Sequence, residues 1–227
     1  MKKLRTCTFL LAMLCLLSGS IRAEEPKYAA LTFDDGPAGR ITSRLLDGLR
    51  ERNLKATFFL CCYRMEQYPD LVRQMAADGH EIGIHGCSHT HFTKLKSDEL
   101  KQELRCTAST IRRLTGSAPY LLRPPGGLYN ENVRKLAEKE GLCIILWSLD
   151  PEDWDPAKRQ KTAFLVADRI HNGDIVLLHD LSAENVKNAL AAADSLTAQG
   201  WTFCTVSELA KKAGCSMEPG MVCTGFP

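Results

Sequence analysis

Short apolar runs alternate with longer amphipathic stretches from Tyr28 to Val206. The apolar runs are "YAALTF" (28–33), "KATFFLC" (55–61), "HEIGIH" (80–85), "PYLLR" (119–123), "CIILWSL" (143–149), "DIVLLH" (174–179) and "WTFCTV" (201–206). Each has the length of a strand, and near-continuous apolar character marks strands covered on both faces. The stretches between them carry apolar residues three and four positions apart. Ile41, Leu45, Leu46 and Leu49 make one face, Leu100, Leu104, Ile111 and Leu114 another, and Val133, Leu136 and Ala137 a third. That spacing is helical. Asn130 is placed to cap a helix N-terminus, and glycines at 79, 116, 141, 173 and 200 fall where helices should stop. Seven strand–helix units predict a parallel sheet covered by helices, either an open doubly wound sheet or a small barrel.

The polar residues at the strand ends favour the barrel. Asp34-Asp35 follow the first run, and His85-Gly86-Cys87-Ser88-His89 begins at the end of the third. Arg123-Pro124-Pro125-Gly126-Gly127 follows the fourth, Asp150 to Trp154 follow the fifth, and His179-Asp180 close the sixth. In α/β barrels the active site is assembled from the carboxyl ends of several strands. The expected fold is therefore a distorted (β/α)7 barrel, TIM-barrel-like, in a single domain. No linker, repeat or low-complexity segment marks a second one.

The first residues follow a different pattern. Lys2, Lys3 and Arg5 precede an apolar run from Cys7 to Leu17, followed by "SGSIRAEE". This is the order of a secretory signal peptide, with cleavage expected after Ala23 and a cut after Ser20 as the alternative. The run is short for a bilayer span, though it would serve as an anchor if left uncleaved. The expected organisation is thus signal peptide 1–23 and catalytic domain 24–227 with a short C-terminal tail. The protein is expected to be secreted or held at the cell envelope, monomeric, and without stable membrane insertion after cleavage. Loss of Lys2, Lys3, Arg5 and Arg22 shifts the formal charge from +2 to −2. The remaining charges are interspersed, with no polybasic face for nucleic acid or anionic lipid.

Eight cysteines follow residue 23: Cys61, Cys62, Cys87, Cys106, Cys143, Cys204, Cys215 and Cys223. An even number in an exported chain permits disulfides. Adjacent strand ends suggest Cys61 or Cys62 with Cys87, and Cys215 with Cys223 would pin the tail. Cys143 and Cys204, inside apolar runs, read as buried thiols.

The strand-end residues suggest metal chemistry. Two histidines four apart can turn both rings to one point. With a carboxylate they make the His-His-Asp set of a catalytic zinc site, although ferrous iron and other divalent ions accept the same ligand types. His91, in "HTH" with His89, reads as solvated surface, and His80 and His171 as helix-end or loop residues. Cys87 lies inside the metal segment and Trp147 inside the fifth strand, the latter as core or pocket wall.

"TFDDGP", H-x-x-x-H, "RPPGG", "DPEDW" and "LLHD", in this order over residues 28–207, resemble the five motifs of the polysaccharide deacetylases (the NodB homology domain, carbohydrate esterase family 4). The resemblance implies that Asp35, His85 and His89 hold a divalent metal, zinc first, with cobalt or another divalent ion as alternatives. It implies that Asp34 is the general base, paired with Arg123, and that His179 is the general acid, oriented by Asp153. Trp154 and Leu177 would line the acyl pocket, and Gly126 would offer its backbone N–H to the oxyanion. Asp150 is a second choice as the His179 partner, and Asp180 would orient its loop. The implied reaction is hydrolytic removal of N-acetyl groups from N-acetylglucosamine residues of an extracellular glycan, peptidoglycan or chitin-like. An O-acetyl esterase acting on acetylxylan and an inactive carbohydrate-binding relative are the alternatives. A metal-dependent oxygenase uses similar ligands, but on a jelly roll rather than a βα fold. The chain departs from the pattern at Gly126, where the family usually has an aromatic residue, and at Gly86, where it favours Ser or Thr.

Overall fold

The computed structural model describes residues 26–227; the expected signal peptide lies outside the described residues. The strands are β1 (Lys27–Asp34), β2 (Thr57–Leu60), β3 (Glu81–Ile84), β4 (Leu121–Leu122), β5 (Cys143–Ile145), β6 (Ile175–His179), β7 (Trp201–Phe203) and β8 (Val222–Cys223). The helices are α1 (Arg40–Glu51), α2 (Cys62–Gln67), α3 (Pro69–Ala77), α4 (Ser97–Thr115), α5 (Glu131–Lys139), α6 (Thr162–Arg169), α7 (Ala183–Thr197) and α8 (Val206–Lys212). The three helical faces expected from spacing fall on α1, α4 and α5. The Asn130 side chain caps α5 by accepting from Val133 N–H at 3.1 Å.

All strand ladders are parallel, in the order β6-β1-β2-β3-β4-β5-β8, with β7 beside the first half of β1. The curled, parallel sheet is that of a distorted (β/α)7 barrel. Two details differ from the expectation. The seventh apolar run contributes only a three-residue strand, on Lys27–Ala29, because β6 takes the rest of β1 from Ala30 onward. The tail, expected as an appendage, supplies β8, which pairs with β5 through Ile144–Val222 and Ile145–Cys223. The chain after β5 then crosses to β6, where Leu149 bridges Val176.

Period-two alternation divides the core in two. Leu31, Phe33, Phe58, Leu60, Ile84, Leu122, Ile144, Val176 and Leu178 join the apolar faces of the helices. Ala30, Phe59, Leu121, Cys143, Ile145 and Ile175 form a second cluster inside the sheet's curve. Extending that inner series two residues at a time towards the carboxyl ends reaches Asp34, Cys61, His85, Arg123, Trp147 and His179. These rim residues continue the inward-facing series at or just past the carboxyl ends of their strands, and the loops that follow add Asp35, His89 and Asp153.

The tail is locked to the barrel at Gly173. Its N–H donates to Tyr28 O at 2.8 Å, and its O accepts from Phe226 N–H at 2.9 Å. With φ at +86°, a Cβ here would lie 1.4 Å from Phe226 O. Gly173→Ala should therefore destabilise the chain by at least the ~1–3 kcal/mol typical of overpacking, seen as a lowered midpoint in denaturant unfolding. An unchanged midpoint would contradict this seating of the tail.

Candidate active site

Asp34 and Asp35 leave β1 in different directions because the backbone turns between them. Asp34 is the last strand residue, whereas Asp35 has φ of +71° and precedes the Gly36–Pro37 turn, whose peptide is cis. His89 also has a positive φ, +60°. A non-glycine residue held there costs roughly 1–3 kcal/mol and points to a site that needs that side-chain direction.

Asp35, His85 and His89 place one ligand atom each within 4.8 Å of the others. His85 Nε2 lies 3.2 Å and His89 Nε2 2.9 Å from Asp35 Oδ1, yet this buried oxygen has no hydrogen bond of acceptable direction. His85 Nδ1 lies 2.8 Å from the Arg123 carbonyl, which can only accept. The ring proton therefore sits on Nδ1, and the Nε2 lone pair faces the Asp35 oxygen. Acceptor against acceptor demands a positive charge between them. The oxygen–nitrogen–nitrogen donor set and the convergence of its lone pairs fit a divalent cation of the zinc or cobalt type.

Asp34 has a different partner. Its Oδ1 accepts from Arg123 Nη1 at 2.7 Å, while Oδ2 stands 3.9 Å from His85 Nε2. Arg123 is fully buried. It also donates to Thr32 Oγ1 (2.7 Å), Ile145 O (3.1 Å) and Leu146 O (2.8 Å), with its guanidinium 4.1 Å from the Phe59 ring centroid. This frame, which engages four of the five guanidinium N–H groups, fixes the one carboxylate oxygen and leaves the other free to accept a proton.

His179 is the register partner of Asp34 on β6, so the two side chains emerge next to one another from neighbouring strands. Its ring Nδ1 is 2.7 Å from Asp153 Oδ1, and its backbone N–H donates to Asp153 Oδ2 at 2.9 Å. Burial disfavours the charged ring, but the Asp153 hydrogen bond and charge, with Asp34 and Asp35 behind them, raise its pKa to about 9. Asp150, the second-choice partner, instead accepts from Glu152 N–H at 2.7 Å.

The remaining expected residues are distributed around this centre. Leu177 is buried on β6, one inward position below His179. Trp154 is 54% exposed, a rim residue rather than a closed pocket wall. Gly126 lies in the tight turn Pro125–Gly127 at φ +65°, where a Cβ would face His91 Nε2 at 3.5 Å. His91, read from the sequence as solvated surface, thus stands beside the loop that lacks the aromatic. Gly127 is needed for contact: a Cβ there would come within 2.7 Å of the Trp147 ring, which supports the loop from the barrel interior. Asp180 accepts from Thr42 Oγ1 under the Asp35–Gly36 turn, and burial raises its pKa to about 6.

Two positioning residues escaped the sequence reading. Glu103, on α4, accepts from Ser88 N–H at 3.0 Å and Ser88 Oγ at 2.7 Å, and from Cys87 N–H at 2.5 Å, so it holds the His85–His89 loop. Asn185, on α7, donates to Asp153 Oδ2 at 2.8 Å. Both sit on helices among ordinary polar positions, where spacing carries no signal of a tertiary partner. Glu103 touches neither histidine but fixes the segment between them, so its loss should act like that of a supporting partner in a metal site, about 10–100-fold in metal affinity. Glu103→Ala should show a loss of that size in chelator competition, and unchanged affinity would remove Glu103 from the site.

Residues 22–145 match the polysaccharide deacetylase family model, more than half of the chain. The chain belongs to the polysaccharide deacetylase family. Within it, a peptidoglycan-N-acetylglucosamine deacetylase of Bacillus cereus is 37% identical over 81% of this chain and 88% of its own length. The peptidoglycan-N-acetylglucosamine deacetylase of Listeria monocytogenes is 36% identical over 83% of this chain, which spans only 40% of that protein. Among solved structures, a family 4 acetyl xylan esterase from Clostridium thermocellum in complex with a cobalt ion superposes with a TM-score of 0.83. It is 28% identical, over 88% of this chain and all of that one. This polysaccharide deacetylase carries Asp153, Leu177 and His179 beyond the matched segment, and the geometry above ties them to it.

Proposed function

We propose that this deacetylase is exported by residues 1–23 and removes N-acetyl groups from N-acetylglucosamine residues of peptidoglycan. The observation that carries the reading is the pair of proton carriers beside the cradle. Asp34 has one oxygen tied to Arg123 and one free; His179, its register partner, is held protonated by Asp153.

A divalent ion, zinc by our reading, held by Asp35, His85 and His89, would supply Lewis-acid polarisation and acidify water. The chain's residues perform the proton work. Asp34 Oδ2 accepts the proton of the attacking water, since Arg123 occupies Oδ1. The Gly126 N–H donates to the oxygen that gains charge. His179 delivers its Nε2 proton to the departing nitrogen, because Nδ1 is engaged by Asp153. An amine leaves only when protonated, and a ring whose pKa is raised to about 9 is charged at neutral pH. Trp154 at the rim and Leu177 below it would border the acetyl group. The relatives named for peptidoglycan support the glycan; the exposed Trp154 and the open Gly126 loop suit a polymer that must lie across the rim.

The test is acetate release from peptidoglycan, chitooligosaccharides and acetylxylan at matched acetyl concentration, with free glucosamine amines measured beside it. Peptidoglycan should give acetate and amines in equal amounts, at the highest kcat/KM. Preference for acetylxylan would assign the enzyme to O-acetyl esters instead.

A further inference from the structure

Three cysteines outside the catalytic centre converge from three elements. Cys62 opens α2, Cys87 lies in the loop between His85 and His89, and Cys106 sits on α4 one helical turn beyond Glu103. Cys87 Sγ is 3.4 Å and Cys62 Sγ 3.6 Å from Cys106 Sγ, and all three sulfurs lie within 4.8 Å of one another. None of them is in a disulfide. Of the two sequence-based partners for Cys87, Cys61 turns instead into the field of Asp35 and Asp34, whereas Cys62 comes within 4.8 Å of it without a disulfide. Nor does Cys223 meet Cys215. The β5–β8 ladder sets it 3.9 Å from Cys143, and Cys215 turns to the Ala213 carbonyl.

The spacing of the triad is informative. Thiolates bound to zinc at about 2.3 Å lie about 3.8 Å apart around a tetrahedron. The observed separations need only small adjustments to meet that, whereas a disulfide needs two sulfurs at about 2.05 Å and leaves the third unused. Exposure also fits a metal. Cys62 is buried, Cys87 half-buried and Cys106 exposed, so the cluster opens to solvent on one side. That opening gives an entry path and a fourth position for water. The α4 face beneath carries polar groups: Thr110 Oγ1 lies 3.3 Å from Cys62 Sγ, and Thr107 and Glu103 follow it towards the start of the helix.

We propose that Cys62, Cys87 and Cys106 form a second metal site, a thiolate site for a thiophilic divalent cation of the zinc and cadmium class. Binding forms three metal–sulfur bonds, releases the thiol protons to solvent and changes no oxidation state. Ligand softness separates the two sites, with the thiolates selecting the softer ion and the nitrogen–oxygen cradle accepting harder ones. Cys87 lies two residues from each proposed histidine ligand. A cation on the thiols therefore clips the His85–His89 loop to α4 alongside Glu103.

Cobalt(II) is a probe that distinguishes the sites, because only thiolate ligands give an intense near-ultraviolet sulfur-to-cobalt charge-transfer band. The protein as isolated from its host would be reduced, stripped of metal, checked for eight free thiols and titrated anaerobically. Two cobalt equivalents should bind, with the band developing for one of them. Cys106→Ser, at an exposed position, should lose the band and one equivalent. Asp35→Asn should keep the band and lose the other equivalent. Absence of the band in the unaltered protein, its persistence in Cys106→Ser, or its loss in Asp35→Asn would each overturn the proposal.

Discussion

Asp34→Asn should retain its metal and lose turnover by about two to four orders of magnitude, the range for losing general-base catalysis. Asp35→Asn should lose metal and activity together. The two residues are adjacent in sequence, but β1 ends between them. Asp34 faces Arg123 at 2.7 Å, and Asp35 faces the two imidazoles at 3.2 and 2.9 Å. An amide at 34 still fills the space and still accepts from the guanidinium, yet cannot take a proton from water. It also leaves the fully buried Arg123 without a countercharge. Breaking a buried pair from one side costs on the order of 3 kcal/mol, so the unfolding midpoint should fall as well. Metal content, kcat and the unfolding midpoint of both variants check this. Metal loss in Asp34→Asn with retention in Asp35→Asn would reverse the roles.

The second large effect lies in the pH profile. His179 is the acid form below its raised pKa of about 9 and loses its proton as pH rises through that value. Activity should therefore fall on an alkaline limb near pH 9. In Asp153→Asn burial remains and the amide oxygen can still accept from the ring, but the opposing charge is gone. The limb should move down to the ordinary histidine range, about 6.5, or below it, and the rate at pH 8 should drop steeply. Because the raised histidine favours the folded state below its pKa, the variant should also lose stability at neutral pH and approach the unaltered chain above pH 9. A limb that stays in place in Asp153→Asn would show that another group delivers the proton.

Much of this arrangement was legible from the chain. Near-continuous apolar runs gave the parallel sheet, since strands covered on both faces carry few polar residues. Polar residues could then survive only at the strand ends, which is why Asp34, His85, Arg123 and His179 stood out and why the structure finds them on one rim. The tail strand β8 was not legible: "VC" between Gly220 and Gly225 has no period, and its pairing depends on the free edge of β5. Glu103 and Asn185 were hidden because a helix surface position shows the same residue types whether it meets water or a loop. The cysteine contacts were legible in part: Cys62 does approach Cys87, within 4.8 Å, but Cys61 does not, and Cys215 does not reach Cys223. Neighbouring strand ends suggested contact, but Cys61 and Cys62, one residue apart, point to opposite sides of the sheet, and Cys106 on α4 carried no spacing signal.

The central claim, that Asp35, His85 and His89 hold a metal on which glycan deacetylation depends, is tested most directly by acetate release from peptidoglycan before and after metal removal. The stripped enzyme, with metal verified absent, should release none, and zinc should restore release. Full activity in the verified absence of metal would contradict the account.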